Sequence, residues 1–126
     1  MYIGLKPFLG GLLLLQALLT FSTTAVAAPP VADFTVSPQT GVAPLDINLD
    51  ATASSDPDGT AISQYSWTIS GPGLTRSEIT PNATLSPITL PQAGSYSISL
   101  TVTSGADQSD PEEKTVVVTA APPPEN

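Results

Sequence analysis

Past residue 32 the chain alternates, and the period is two. Tyr96, Ile98, Leu100 and Val102 are interleaved with Ser97, Ser99, Thr101 and Thr103. Successive strand side chains point to opposite faces, so such a stretch buries one row and wets the other. Leu45, Ile47 and Leu49 alternate with Asp46, Asn48 and Asp50, and Tyr65, Trp67 and Ile69 alternate with Ser66, Thr68 and Ser70. Residues 33–36, stopped by Pro38, and residues 114–119, with Val116-Val117-Val118, read as further strands; residues 85–90 read as a weaker one broken by Pro87. Turn-forming residues punctuate the set: Thr40-Gly41, Asp56-Pro57-Asp58-Gly59, Gly71-Pro72-Gly73, Ala93-Gly94 and Ser109-Asp110-Pro111. No helical period competes with this pattern. Six or seven short strands in under 100 residues, with one Trp mid-chain, predict an all-β fold: an antiparallel two-sheet sandwich of immunoglobulin type.

The first 27 residues follow a different logic. Lys6 precedes an apolar run over 8–19, interrupted only by Gln16, and Ala25-Val26-Ala27-Ala28-Pro29 closes the segment. A basic start, an apolar stretch of about 7–15 residues and a small-x-small site define a secretory signal peptide. Cleavage is expected after Ala27, because cleavage one residue later would place Pro29 first. The run is too short to span a membrane, which takes about 20 apolar residues, and no Cys follows it to carry a lipid. The expected organisation is a signal peptide (1–27), an N-terminal linker (28–31), the sandwich (32–119) and a Pro-rich tail (120–126), with neither flank of the sandwich reading as able to fold. The product is expected to be secreted (periplasmic, extracellular or cell-surface), with no stable membrane insertion after cleavage.

Charge and composition remove most other functions. Three basic residues stand against eleven acidic ones, giving a net charge of −8, and loss of Lys6 with the leader takes it to −9. Nucleic acid is excluded as a partner, since binding it requires a cationic footprint. The chain has no His and no Cys, which excludes His-based triads, thiol nucleophiles, disulfides and ordinary zinc sites. Paired carboxylates can hydrolyse glycosides only in a cleft that raises the pKa of one of them; solvated loop acids on a small sandwich offer none, and no enzymatic activity is expected. The body's aromatics, Phe34, Tyr65, Trp67 and Tyr96, all fall on the apolar phase of their strands. They are expected in the core rather than on a sugar-stacking platform. Asn82-Ala83-Thr84 matches a glycosylation acceptor, a pattern short enough to arise by chance.

The turn Ser55-Asp56-Pro57-Asp58-Gly59 followed by Tyr65-Ser66-Trp67 belongs to a longer set of stretches. Pro30-Val31-Ala32-Asp33-Phe34 and Gly41-Val42-Ala43-Pro44-Leu45 precede it; Gly94-Ser95-Tyr96-Ser97-Ile98 and the strand beyond follow. In order and spacing these stretches resemble the PKD (polycystic kidney disease) domain, an immunoglobulin-like sandwich common in exported microbial proteins. Two positions depart from that pattern. Ile69-Ser70-Gly71-Pro72-Gly73 lacks an Asp that the family usually carries after its Trp, and Leu90-Pro91-Gln92-Ala93 lacks an aromatic.

The resemblance implies a non-catalytic spacer or adhesion unit. It also implies, as in some members, calcium near the Asp-Pro-Asp-Gly loop. The residues by themselves fit a turn: Pro57 presets φ, Asp56 caps, and Gly59 accepts φ > 0. Calcium takes six to eight oxygens, and sandwich topology gathers Asp50, Asp56, Asp58, Asp107, Asp110, Glu112 and Glu113 towards one end. Asp56, Asp58 and Asp110 are the expected Ca²⁺ ligands; no other cofactor is expected. The expected function is a module binding an extracellular protein or polysaccharide. It would do so through a loop end or a sheet face with exposed apolar or amide residues, for which Asn48, Ile62 and Gln64 are candidates by phase. The alternative is a self-assembling structural or cell-surface subunit, calcium-stabilised and joined through sheet edges. The sequence leaves the oligomeric state open.

Overall fold

The computed structural model describes residues 4, 20 and 22–125; the bulk of the leader segment lies outside the described residues. Nine strands follow one another: β1 (Thr35–Ser37), β2 (Thr40–Val42), β3 (Leu45–Asp50), β4 (Ile62–Gly71), β5 (Leu74–Thr80), β6 (Thr84–Leu90), β7 (Gly94–Ser104), β8 (Asp107–Gln108) and β9 (Glu112–Thr119). They form two sheets. The smaller has the order β1-β3-β6; the larger runs β2-β9-β7-β4-β5, with β8 hairpinned onto β7. Every pairing is antiparallel except β2 with β9, which is parallel. The N-terminal strand is therefore split at Pro38, its first half in the small sheet and its second half in the large one.

Four strands depart from the sequence reading. Thr40-Gly41 is strand rather than turn, because Val42 and its neighbours continue along β9. Strand β5 carries no apolar alternation. Its inward phase holds Arg76 and Glu78 opposite Ile69 and Trp67, as suits an edge strand whose inward charges block further pairing. The short β8 is the return arm of a hairpin through Gly105. Pro87 does not break β6. The strand runs through it at the sheet edge, where Ser86 and Pro87 occupy a register shift against β3 between Ile47 and Leu49, and an edge bulge needs no N–H from proline.

The alternating phases meet between the sheets. Trp67, Tyr96, Phe34, Ile47, Leu49, Ile69, Ile88, Leu90, Ile98, Leu100, Val102 and Val116 are fully buried, each contributing about 1.5–3 kcal/mol through removal of apolar surface from water. Phe34 meets Trp67 edge to face, centroids 5.2 Å apart at 84°, and the Lys114 ammonium lies 5.4 Å from the opposite partner's ring, that of Phe34. At the base of β7 the Tyr96 hydroxyl faces the Pro72 carbonyl (2.7 Å) and the Gln92 carbonyl (2.8 Å) and accepts from the Gln92 N–H (3.1 Å). This tyrosine corner ties the β4–β5 turn to the β6–β7 turn. Gly71 packs so closely on the Tyr96 ring that a Cβ there would overlap it.

Residues 28–31 differ from the expected unfolded linker. Val31 forms a two-way bridge with Ser55, its N–H donating to the Ser55 carbonyl (2.7 Å) and its carbonyl accepting from the Ser55 N–H (3.1 Å). Pro30 is buried. Unpaired backbone next to an open loop gains hydrogen bonds by lying along it. Among the described residues no helix is long and apolar enough to cross a membrane.

Candidate functional site

Two surfaces present themselves, the acidic loop end and the outer face of the large sheet. At the loop end, the segment between β3 and β4 does meet the tip of β7: the Ser104 hydroxyl donates to Asp56 Oδ2 at 2.5 Å. The other Asp56 oxygen, Oδ1, accepts from the Asp58 N–H (2.8 Å), while the Gly59 N–H donates to the Asp56 carbonyl (3.0 Å) and Gly59 takes φ 80°. Asp58 Oδ2 accepts the Ala28 N–H at 2.7 Å. Asp110 lies in the wall of a cavity of about 210 Å³ between residues 29–32 and the approach to β9, lined by Pro29, Pro30, Val31, Ala32, Asp110, Pro111 and Glu112.

The Asp56 and Asp58 oxygens serve the chain itself. Among the described residues no three acidic side chains are grouped so as to hold a metal ion, and the expected set of Asp56, Asp58 and Asp110 is not brought together as ligands. The physical reason is local. A turn residue that caps its own loop and takes a cross-strand hydroxyl has few lone pairs left for a cation that needs six or more oxygens. Asp50 is likewise engaged. Hydrogen bonds from the Thr52 hydroxyl and from the Thr52 N–H (2.9 Å) hold its carboxyl below the ordinary value of 3.8.

The outer face of the large sheet is a different surface. The register aligns Thr115, Ser97, Ser70 and Thr75 in one row across β9, β7, β4 and β5, and Glu113, Ser99, Thr68 and Ser77 in the next. Thr101, Ser66 and Ile79 form a third row; Ser95, Val117 and Thr40 form a fourth. Neighbours in such a grid lie about 4.8 Å apart across strands and about 6.7 Å apart along them. Among the described residues, three of the five exposed large apolar side chains, Val42 (47%), Ile79 (66%) and Val117 (45%), lie here. In a chain of net charge −8, Glu113 is the one charged group on these rows. The back of the small sheet contrasts with it, exposing Asp46, Asn48 and Asp50.

Of the residues expected by phase on an exposed face, one lies on this one. Gln64 pairs with Thr103 one row beyond Ser66 and Thr101 and is half-buried as they are, whereas Ile62 packs against the core and Asn48 lies on the opposite sheet. The outward hydroxyls of β4 and β7 are visible in the sequence as the polar phase of clean alternation. The contribution of β5 is not, since that strand carries no alternating signal. Trp67 offers no platform: its ring is wholly buried, and its Nε1 has no hydrogen-bond partner.

A family profile described as K319L-like, PKD domain matches residues 32–119. Among solved structures, the PKD1 domain of the Vibrio cholerae metalloprotease PrtV is 35% identical, with a TM-score of 0.53 over 72% of this chain and 98% of that one. A structure from work on the promiscuous specificity of carbohydrate-binding modules of the β-sandwich superfamily is 28% identical, with a TM-score of 0.66 over 77% of this chain. This chain spans only 37% of that chain's length. No curated protein sequence matches.

Proposed function

The chain belongs to the K319L-like PKD domain family, and from that premise we propose that it is an exported, non-catalytic binding module that docks neutral polysaccharide on the outer face of its large sheet. The observation that carries this reading is the composition of that face: Ser and Thr hydroxyls in register, interspersed with Val42, Ile79 and Val117, and almost free of charge. A sugar chain presents the complementary pattern of hydroxyls and C–H surfaces. Hydroxyls both donate and accept, so the grid can exchange hydrogen bonds with a ligand in several registers without an unpaired charge to desolvate. Similarity to part of a structure from work on carbohydrate-binding modules of the β-sandwich superfamily supports the same class of ligand. The signal-peptide pattern over 1–27 supports export.

The test is retention of the protein on insoluble neutral polysaccharides. Thr68→Glu with Ser99→Glu places two carboxylates in the middle of the grid and should reduce retention at least about tenfold, the effect of losing roughly 1.4 kcal/mol of binding. Asn48→Glu, on the back of the small sheet, should leave it unchanged. Equal retention of the two variants would move the binding surface elsewhere, and retention on none of the polysaccharides would refute the ligand class.

A further inference from the structure

The β3–β4 loop holds carboxylates with no cation beside them. Among the described residues the one ion pair is Arg76 with Glu78, on β5, and Lys114 is engaged over the Phe34 ring. The group that does reach the loop is a backbone nitrogen, that of Ala28, 2.7 Å from Asp58 Oδ2. Asp58 is held for that contact by its own turn, through the hydrogen bond from its N–H to Asp56 Oδ1 and the Gly59 N–H to the Asp56 carbonyl. Downstream, the Val31–Ser55 bridge and buried Pro30 pin the chain start along the same loop. The leader pattern independently places its cleavage site between Ala27 and Ala28.

We propose that Asp58 is the receptor for the mature α-ammonium, and that export processing converts a neutral hydrogen bond into an ion pair that latches the new N-terminus onto the sandwich. A leader peptidase adds water across the Ala27–Ala28 peptide bond. The C–N bond breaks, Ala27 leaves with the leader as a carboxylate, and the Ala28 nitrogen becomes an amine that is protonated below a pH of about 8. The nitrogen that Asp58 Oδ2 accepts from thus gains a full positive charge. Charge-assisted hydrogen bonds are roughly twice as strong as neutral ones. The start of the folded chain is in this way completed by the cut, and the Pro29–Pro30 wall of the neighbouring cavity is fixed with it.

The experiment uses the full chain in an exporting host, so that the host's own peptidase makes the terminus, with intact mass defining the mature form. A second form carries Gly-Ser inserted after Ala27, which places the new ammonium two residues upstream of Ala28. Each is made with Asp58 and with Asp58→Asn, and thermal unfolding of the four products is compared. A mature mass beginning at Ala28, a midpoint about 1–4 °C higher for the native terminus than for the inserted one, and closure of that gap in Asp58→Asn are expected. A mature chain beginning elsewhere overturns the proposal. So does the absence of a gap, or one that persists unchanged without the Asp58 carboxylate.

Discussion

Replacing Tyr96 by Phe removes one oxygen and nothing else. The ring keeps its place against Gly71 and in the core, so no cavity opens. Lost are the hydroxyl's donation to the Pro72 and Gln92 carbonyls, 2.7 and 2.8 Å away, and its acceptance of the Gln92 N–H at 3.1 Å. One proton serves both carbonyls, so the three contacts amount to fewer than three full bonds. Gln92 is exposed and Pro72 half-buried, so water restores part of what is removed. A cost of about 1–3 kcal/mol follows from leaving partly desolvated backbone groups unpaired. For a domain spanning residues 32–119, an unfolding entropy of about 2.1 cal/mol/K per residue turns that into a Tm lower by roughly 5–16 °C. Differential scanning calorimetry of the exported protein measures it. Tyr65→Phe is the control: that hydroxyl is not held between two turns, and its loss should cost under about 0.5 kcal/mol. If Tyr96→Phe melts no lower than Tyr65→Phe, the corner does not join the turns energetically and the reasoning fails.

Thr52→Ala removes the larger of the two hydrogen bonds that depress the Asp50 carboxyl, so that carboxyl should titrate closer to its ordinary value in an NMR titration. A depressed carboxylate contributes stability that is present above its unfolded pKa and lost as pH falls through the folded one. The difference between Thr52→Ala and the parent should therefore vanish in acid, and an unmoved Asp50 titration would contradict the assignment. Thermal unfolding in calcium against EDTA addresses Asp56, Asp58 and Asp110. Asp56 and Asp58 are already spent on Ser104, on the Asp58 N–H and on Ala28, and among the described residues no third acid is grouped with them; the midpoint should be unchanged, and a rise of several degrees with calcium would restore the three as ligands.

The sandwich was legible wherever burial imposes alternation. Strands β3, β4 and β7 each carry one face to the core and one to water, so their residues declare their phase. Trp67 and its aromatic neighbours were readable as core for the same reason. Edges were not legible. In β5 the inward positions of Arg76 and Glu78 lie at the rim, where charge is tolerated and periodicity is erased. In β6, Pro87 reads as a breaker because a sequence does not say which strand lacks a neighbour. The candidate surface was half visible: the hydroxyl phase of β4 and β7 could be read, but its extension over β5 and β9 depends on register, a long-range property. Topology brings the β3–β4 loop to the tip of β7, as the Ser104–Asp56 contact shows, but among the described residues it groups no three acidic side chains. Counting carboxylates could not reveal that the chain itself would occupy oxygens of Asp50, Asp56 and Asp58.

The parallel pairing of β2 with β9 joins the first and last segments of the domain side by side, Thr40 beside Val117 and Val42 beside Thr119. Tension drawn through the two ends pulls these strands along their axes in opposite senses. The ladder, including the Val117 N–H to the Gln39 carbonyl and the Ala43 N–H to the Thr119 carbonyl, is then loaded in shear, all its bonds at once rather than one after another. A module pulled between its two ends would meet mechanical force in the direction in which this clamp yields last.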